Sequence, residues 1–307
     1  MFAPPVIQEL GGERLHLSHG PIDIALRAWG SVDAVQAAYA AAARRFPTIL
    51  PELCDELAAL RTPMHERPRV AGPVARRMHR ACHPFADVFV TPMAAVAGAV
   101  ADELLAEMAA AAVLDRAFVN DGGDIAVLVT RGHVLDIGVA GEFSRGAVPA
   151  INGVARLEAG SGVGGIATSG ARGRSFSLGI ADAVTVLAAN AAVADAAATL
   201  IANAVNVDSP AVQRRPARAL DPDSDLRDLP VTMSVGPLTS DEVDGALARG
   251  LARAAAYLER GLIIDAALML AGRTRTLRGC TGQPCPDLVD GRATTRIRAS
   301  TGLARGR

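Results

Sequence analysis

The densest group of polar side chains in the sequence lies at residues 119–125, which read Val-Asn-Asp-Gly-Gly-Asp-Ile. Two carboxylates there could act as general bases, and two glycines free the backbone for positive φ and for close approach to a ligand. An Asp-Gly pair between apolar runs is also a strong hairpin signal. A hairpin tip does not need three polar side chains, so we expect a site here. Its candidates are the bases Asp121 and Asp124 and the ligand-binding residues Asn120, Gly122 and Gly123.

A second candidate is the glycine-rich run at residues 160–170, Gly-Ser-Gly-Val-Gly-Gly-Ile-Ala-Thr-Ser-Gly. Consecutive backbone N–H groups in such a run can hold an anion, and Thr168 and Ser169 add hydroxyl donors beside Gly170. A flexible loop explains the composition equally well. The run contains neither a dinucleotide-binding fingerprint nor a P-loop, so those two nucleotide sites are excluded.

A third candidate combines Asp195 with Thr199, which are four residues apart. On a helix they share one face, where a carboxylate and a hydroxyl can hold a hard cation such as Mg²⁺ together with water and a ligand phosphate. The alternative is a solvated acid near a helix start and a threonine bonded to its own helix. We favour the site, because the surrounding residues are almost all apolar. Asp182 is a further candidate base upstream of this helix.

The elements that must position these residues follow from periodicity and turn signals. Ser31 caps a helix that runs to about Phe46, where Pro47 and Pro51 bend or restart it. A capping box begins another helix at Thr239. Strands do not alternate regularly with long helices, so the sequence predicts an α+β fold with antiparallel sheet. The predicted strands include residues 116–120, 124–130, 133–139, 153–158, 165–168, 183–188, 231–235 and 263–270, and the predicted helices include 191–205.

Composition narrows the classes of function. Of the 307 residues, half are hydrophobic, and the formal net charge is -1. All 31 basic residues are arginine, which excludes Schiff-base lysine chemistry. Aromatic residues make up 3%, too few for a single-stranded nucleic-acid platform. We see no secretory leader and no membrane span, and the four cysteines fit a reduced compartment, so we expect a cytoplasmic protein. We interpret residues 1–270 as one domain and residues 271–307 as an arginine-rich flexible tail.

Taken together and in order, the three candidate segments resemble successive motifs of the ApbE superfamily, the FAD:protein FMN transferases. The resembling segments are residues 117–125, 166–170 and 194–199, and residues 91–98 and 179–186 are typical of an uncharacterised non-lipoprotein branch. The resemblance covers roughly residues 10–270. It implies a two-layer fold and a flavin-nucleotide site in which Asp195 and Thr199 hold Mg²⁺ against a pyrophosphate. In the transferases, a threonine hydroxyl of a target protein attacks that pyrophosphate.

One motif of the transferases is missing. They carry His-x-x-Asp-Pro-x-Thr-Gly before the metal-binding helix, whereas this chain has residues 175–182, from which we retain Ser177 as a ligand-binding candidate. Three hypotheses stay open: a metal-assisted enzyme acting on a phosphate-containing or flavin-like ligand such as FAD or FMN, a hydrolase of a small polar metabolite with an Asp general base, and a non-catalytic binding protein. Alanine-rich helix faces favour a homodimer. We expect no nucleic-acid or membrane partner.

Overall fold

The computed structural model describes residues 3–142, 150–173, 175–277 and 297–299. Within them, one sheet of nine strands has the order β1-β2-β3-β4-β5-β8-β9-β12-β13, and all of its neighbouring strands are antiparallel. These strands are β1 (Val6–Leu10), β2 (Arg14–His19), β3 (Ile22–Trp29), β4 (Arg116–Asp121), β5 (Asp124–Val129), β8 (Gly165–Ser169), β9 (Ala183–Ala188), β12 (Asp265–Leu270) and β13 (Arg273–Thr276).

Two smaller sheets complete the strands of the described residues. A three-stranded sheet has the order β14-β7-β6 and a two-stranded sheet pairs β10 with β11. Their bounds are β6 (Val134–Glu142), β7 (Ala150–Glu158), β10 (Val212–Pro216), β11 (Pro230–Val235) and β14 (Ile297–Ala299). The α+β prediction is therefore confirmed.

Six α-helices lie in the described part of the chain. They are α1 (Val32–Asp55), α2 (Leu57–Leu60), α3 (Pro73–Cys82), α4 (Val96–Ala111), α5 (Ala191–Ala204) and α6 (Ser240–Glu259). The Ser31 hydroxyl accepts from Ala34 N at the start of α1, and Thr239 and Glu242 form the expected capping box of α6. None of the described helices is long and apolar enough to cross a bilayer.

Alternation along the strands divides the core between the two faces of the large sheet. Leu17, Ile24 and Val119 face the helices and belong to the main hydrophobic cluster. On the opposite face, Ile166 and Leu187 pack against Leu135, Ala155 and Leu157 of the small sheet. The resemblance implied two layers, the large sheet and the helices. The small sheet adds a third layer, because the face of the large sheet that points away from the helices is also apolar and is buried against it.

Two predicted boundaries are wrong. Helix α1 continues through Pro47 and Pro51 to Asp55 instead of ending near Phe46. Each proline removes one backbone donor, but burial of Ile49, Leu50 and Leu53 in this stretch stabilises the helix, and Arg45 binds Glu52 across it at 2.7 Å.

At the other end, strand β13 (Arg273–Thr276) pairs with β12, so residues 273–276 belong to the sheet and not to a tail. Residues 297–299 form β14, which pairs with β7. The remainder of the predicted tail, residues 278–296 and 300–307, lies outside the described residues.

Candidate functional site

The turn between β4 and β5 places two aspartates side by side. Its tip is Gly122-Gly123, and both glycines have positive φ, +65° and +115°, as a tight hairpin requires. Asn120 supports this turn, because its Oδ1 accepts from Gly123 N at 2.8 Å. Asp121 and Asp124 are direct register partners at the end of the hairpin. Like charges directly opposite each other destabilise a strand pair, and here Asp121 Oδ1 also accepts a hydrogen bond from Asp23 N at 3.4 Å.

Both aspartates lie on the helix-covered face of the sheet. Val119 in β4 and Ala126 in β5 belong to the main core, and the two aspartates share their parity. Asp121 is only 4% exposed. The turn therefore directs its carboxylates inward toward α4 and α5.

Helix α5 brings a third carboxylate to the same place. Asp195 lies in its second turn, keeps partial exposure, and accepts from Gly98 N at 3.0 Å. Burial raises the pKa of Asp195 well above its ordinary value, and the charges of Asp124 and then Asp121 raise it further, against the lowering effect of backbone N–H groups of α4. We call Asp121, Asp124 and Asp195 the carboxylate cluster.

Two hydroxyl groups lie beside the carboxylate cluster. Thr199 follows Asp195 by one helical turn, and its Oγ1 lies 3.5 Å from Ser169 Oγ at the end of β8. Ser169 has the strand parity of Ala167, which packs in the main core on the helix side. Segments from all three sequence regions thus meet between the sheet and α5.

Helices α4 and α5 cap each other, which gives Asp195 a structural role too. The carboxylate of Asp102 in α4 accepts from Ala191 N and Ala192 N of α5 at 3.0 and 2.9 Å. In return Asp195 serves the first turn of α4, whose own cap residue, Ala95, makes no side-chain cap bond. Burial raises the pKa of Asp102 despite the two N–H donors. The N-termini of α4 and α5, which could otherwise attract a ligand anion, are therefore occupied by the carboxylates of Asp195 and Asp102.

Three glycines of the glycine-rich run allow close backbone packing. A Cβ on Gly164 would lie 2.3 Å from Ala189 O, and one on Gly165 would lie 2.1 Å from Ala191 N. A Cβ on Gly170 would lie 2.5 Å from Asp182 O. These glycines let the backbone of β8 approach the start of α5 and the residue before β9. They thereby position Ser169 and Asp195.

Three predicted site residues are not brought to the cluster. Thr168 lies on the opposite sheet face, where its Oγ1 is 2.9 Å from Thr185 Oγ1, because neighbouring strand residues point to opposite sides. Asp182 pairs with Arg172 Nε at 2.7 Å and accepts from Ala271 N at 2.6 Å. Ser177 accepts from Gly179 N at 3.2 Å, close to the far end of α5.

One neighbour of the cluster carried no sequence signal. Cys82, at the end of α3, is fully buried and its thiol donates to Thr91 O at 3.4 Å. Burial raises the pKa of Cys82 well above its ordinary value, and the charge of Asp195 raises it further, so the two side chains are close in space. Since α3 is more than 100 residues upstream of Asp195, only tertiary structure could reveal this contact.

The chemistry available at the cluster is that of hard oxygen ligands. Carboxylates and hydroxyls suit Mg²⁺, which is commonly held by one or two protein carboxylates with waters and substrate phosphates. In the part of the chain that the structure describes, no group of three or more His, Cys, Asp or Glu side chains is arranged to hold a metal ion. The side chains of the cluster could therefore supply at most a few ligands of a coordination shell.

Comparison with known proteins gives one match over most of the chain and two partial ones. Residues 7–276 match the model of a family described as AbpE bacteria. A UPF0280 protein of Methanopyrus kandleri is 40% identical over 123 residues, which cover 40% of this chain and 45% of that protein. A UPF0280 protein of Methanothrix thermoacetophila is 38% identical over 124 residues, covering 40% and 48%. The match thus spans less than half the length of either relative.

Proposed function

The chain belongs to the AbpE bacteria family, and we propose that it binds a phosphate-bearing small ligand together with a divalent cation at the carboxylate cluster. The observation that carries this proposal is the meeting of Asp121, Asp124 and Asp195 on one buried face. Two of them repel each other across a hairpin, and both raise the pKa of the third.

A divalent cation suits a place where three carboxylates lie close together. Three carboxylates that crowd one another destabilise the fold when all are ionised, and a bound Mg²⁺ would offset their charge. Asp195 and Thr199 are the residues that would hold it, with Ser169 as a neighbouring hydroxyl. When bound, the ion would supply electrostatic stabilisation of a phosphate ligand.

The same charge argument makes the ligand dependent on the cation. A bare anion is repelled by the carboxylate cluster, and the N-terminus of α4 is already occupied by Asp195. The phosphate of a ligand would therefore need the cation in order to bind beside these carboxylates. This dependence separates our proposal from a site that binds phosphate by backbone amides alone.

We propose FAD as the first ligand to test, on the strength of the resemblance to the ApbE superfamily. We do not propose FMN transfer, because the His-x-x-Asp-Pro-x-Thr-Gly segment is absent and residues 175–182 stand in its place. In this stretch Ser177 and Leu178 bind Asn203, two turns beyond Asp195 on α5.

Titration calorimetry tests the proposal with FAD, ADP and Mg²⁺, each alone and in combination. We expect Mg²⁺ to bind, and FAD or ADP to bind only when Mg²⁺ is present. Asp195→Asn and Thr199→Val should weaken Mg²⁺ binding at least about tenfold, since each removes a ligand oxygen. Thr168→Val is the matched control, because Thr168 lies on the opposite sheet face, and its affinity should not change. Equal binding of FAD with and without Mg²⁺, or full Mg²⁺ binding by Asp195→Asn, would refute the proposal.

A hydrolase with an Asp general base is the second candidate. It is favoured by the setting of the carboxylate cluster, because burial and neighbouring like charges, which raise the pKa of Asp195, are what tune a carboxyl toward proton transfer near neutral pH. Asp182 pairs with Arg172 away from the cluster, whereas the candidate bases Asp121 and Asp124 lie close enough to Asp195 to raise its pKa. The test is an assay of ester and amide hydrolysis in EDTA. Turnover that is abolished in Asp124→Asn and retained in Asp182→Asn would support this candidate.

A further inference from the structure

A pocket at the opposite end of α5 contains two arginines. Its volume is about 290 Å³, it opens to solvent, and it is lined by Asn206, Val207, Asp208, Arg214 and Arg249. Asp195 lies nine residues before the end of α5 at Ala204, a distance of about 14 Å along the helix axis. The pocket is therefore separate from the carboxylate cluster.

Both guanidinium groups of this pocket are fixed on the same residue. Arg214 Nη2 donates to Asn206 Oδ1, and Arg249 Nη1 donates to Asn206 O at 2.7 Å. Asn206 is itself held, since its Nδ2 donates to Leu178 O at 2.9 Å. These contacts occupy one nitrogen of each guanidinium, which has five N–H donors in a planar fork. The arginines are thus oriented in advance and keep donors for a ligand.

Among the described residues, no carboxylate lies within 4.0 Å of the guanidinium group of Arg214 or Arg249. Several other arginines of the chain do form such ion pairs. Two cations brought to one residue repel each other, and Asn206, to which both arginines donate, lies beyond the end of α5 at Ala204. A bulge in β10 between Gln213 and Arg214 shifts the register at this point. Bulges of this kind redirect a side chain toward a site.

We propose that this pocket binds the phosphoryl group of a small anionic metabolite, independently of any divalent cation. A phosphoryl group offers three oxygens and up to two negative charges, so it can accept from two guanidinium groups on separate elements at once. Asp208 in the same pocket would accept a hydrogen bond from a hydroxyl of the ligand's organic body. The volume suits a phosphate with a small organic body.

The test is calorimetry with inorganic phosphate in EDTA at constant ionic strength. We expect saturable binding with Kd in the range of about 0.1 to 10 mM. Arg249→Ala should weaken it at least about tenfold, because a charge-assisted bond is lost, while Asp208→Asn should strengthen it by removing a repelling charge. Arg215→Ala is the matched control, since Arg215 is the next residue of β10 but does not line the pocket, and its affinity should stay within about twofold.

Several outcomes would overturn the inference. They are the absence of saturable binding, unchanged affinity in Arg249→Ala, an equal loss in Arg215→Ala, and tighter binding of malonate than of phosphate. Arg249 is exposed on α6, so its removal leaves the fold intact, whereas Arg214→Ala also releases Asn206. Asp195→Asn should bind phosphate like the unchanged protein, which keeps this test distinct from that of the carboxylate cluster.

Discussion

Gly98 is the position where one added methyl group should do most damage to the candidate site. It lies in the first turn of α4, and its N–H donates to Asp195. A Cβ there would lie 2.3 Å from Ala191 O, 2.5 Å from Ala191 C and 2.7 Å from Ala192 N. All three atoms are backbone of α5, so no side chain can turn aside. The two helices would have to move apart.

The expected size of the effect follows from two opposing terms. Overpacking costs about 1–3 kcal/mol, and a clash with backbone belongs at the upper end or beyond. Alanine gains up to about 1 kcal/mol over glycine in a helix. Gly98→Ala should therefore lower the free energy of unfolding by about 2 kcal/mol. It should also weaken Mg²⁺ binding, because Asp195 shifts with α5.

Gly245→Ala in α6 is the matched control. Nothing lies within 4 Å of its added Cβ, so only the propensity gain remains and stability should rise by up to about 1 kcal/mol. Urea denaturation followed by circular dichroism measures both variants, and the midpoint at unchanged m gives the difference. A Gly98→Ala protein as stable as the unchanged one would refute the close-packing argument for α4 and α5.

Three further predictions concern groups around this region. Burial acts to raise the pKa of Glu52, but hydrogen bonds from Arg45 outweigh it, so the pKa is lowered. The pair therefore stabilises the fold at pH values above the ordinary pKa of a glutamate. This stabilisation is lost as pH falls through the lowered pKa of Glu52. Glu52→Gln should cost up to about 1 kcal/mol at pH 7 and nothing once pH lies below the lowered pKa of Glu52, whereas the exposed Glu107→Gln should be neutral under both conditions in urea titrations. Cys82, as the sole cysteine of a serine-substituted variant, should not react with a thiol reagent until the protein is unfolded, and rapid native labelling would contradict its burial. Asp102→Ala should lower the unfolding free energy by about 2 kcal/mol, because two N–H groups of α5 lose their acceptor, and a change under about 0.5 kcal/mol in the same assay would show that they find another.

Local sequence was sufficient for most of the elements. The Gly122-Gly123 hairpin, the capping box at Thr239 and the Ser31 cap of α1 depend on neighbouring residues alone, and the structure has each of them. Helix α1 shows the limit of local rules, because burial stabilises it through Pro47 and Pro51. Residues 273–276 show it again, since their pairing with β12 gives a strand that their arginine-rich composition does not indicate.

The sequence by itself showed which aspartates lie beside glycine-rich turns. The periodicity of strands and helices then predicted on which face of its element each aspartate lies. It identified Asp121, Asp124 and Asp195, but it could not state that they repel one another or that Cys82 lies beside them. Asp195 is 71 to 113 residues away from Asp124, Asp121 and Cys82 in the sequence, and only the packing of α3, α4 and α5 on the sheet brings them together. The reciprocal capping by Asp102 and Asp195 and the clash expected at Gly98 arise in the same way. The residue types that could do chemistry were therefore known from the sequence. Which of them lie close together, and how that closeness shifts their pKa values, was decided by the tertiary fold.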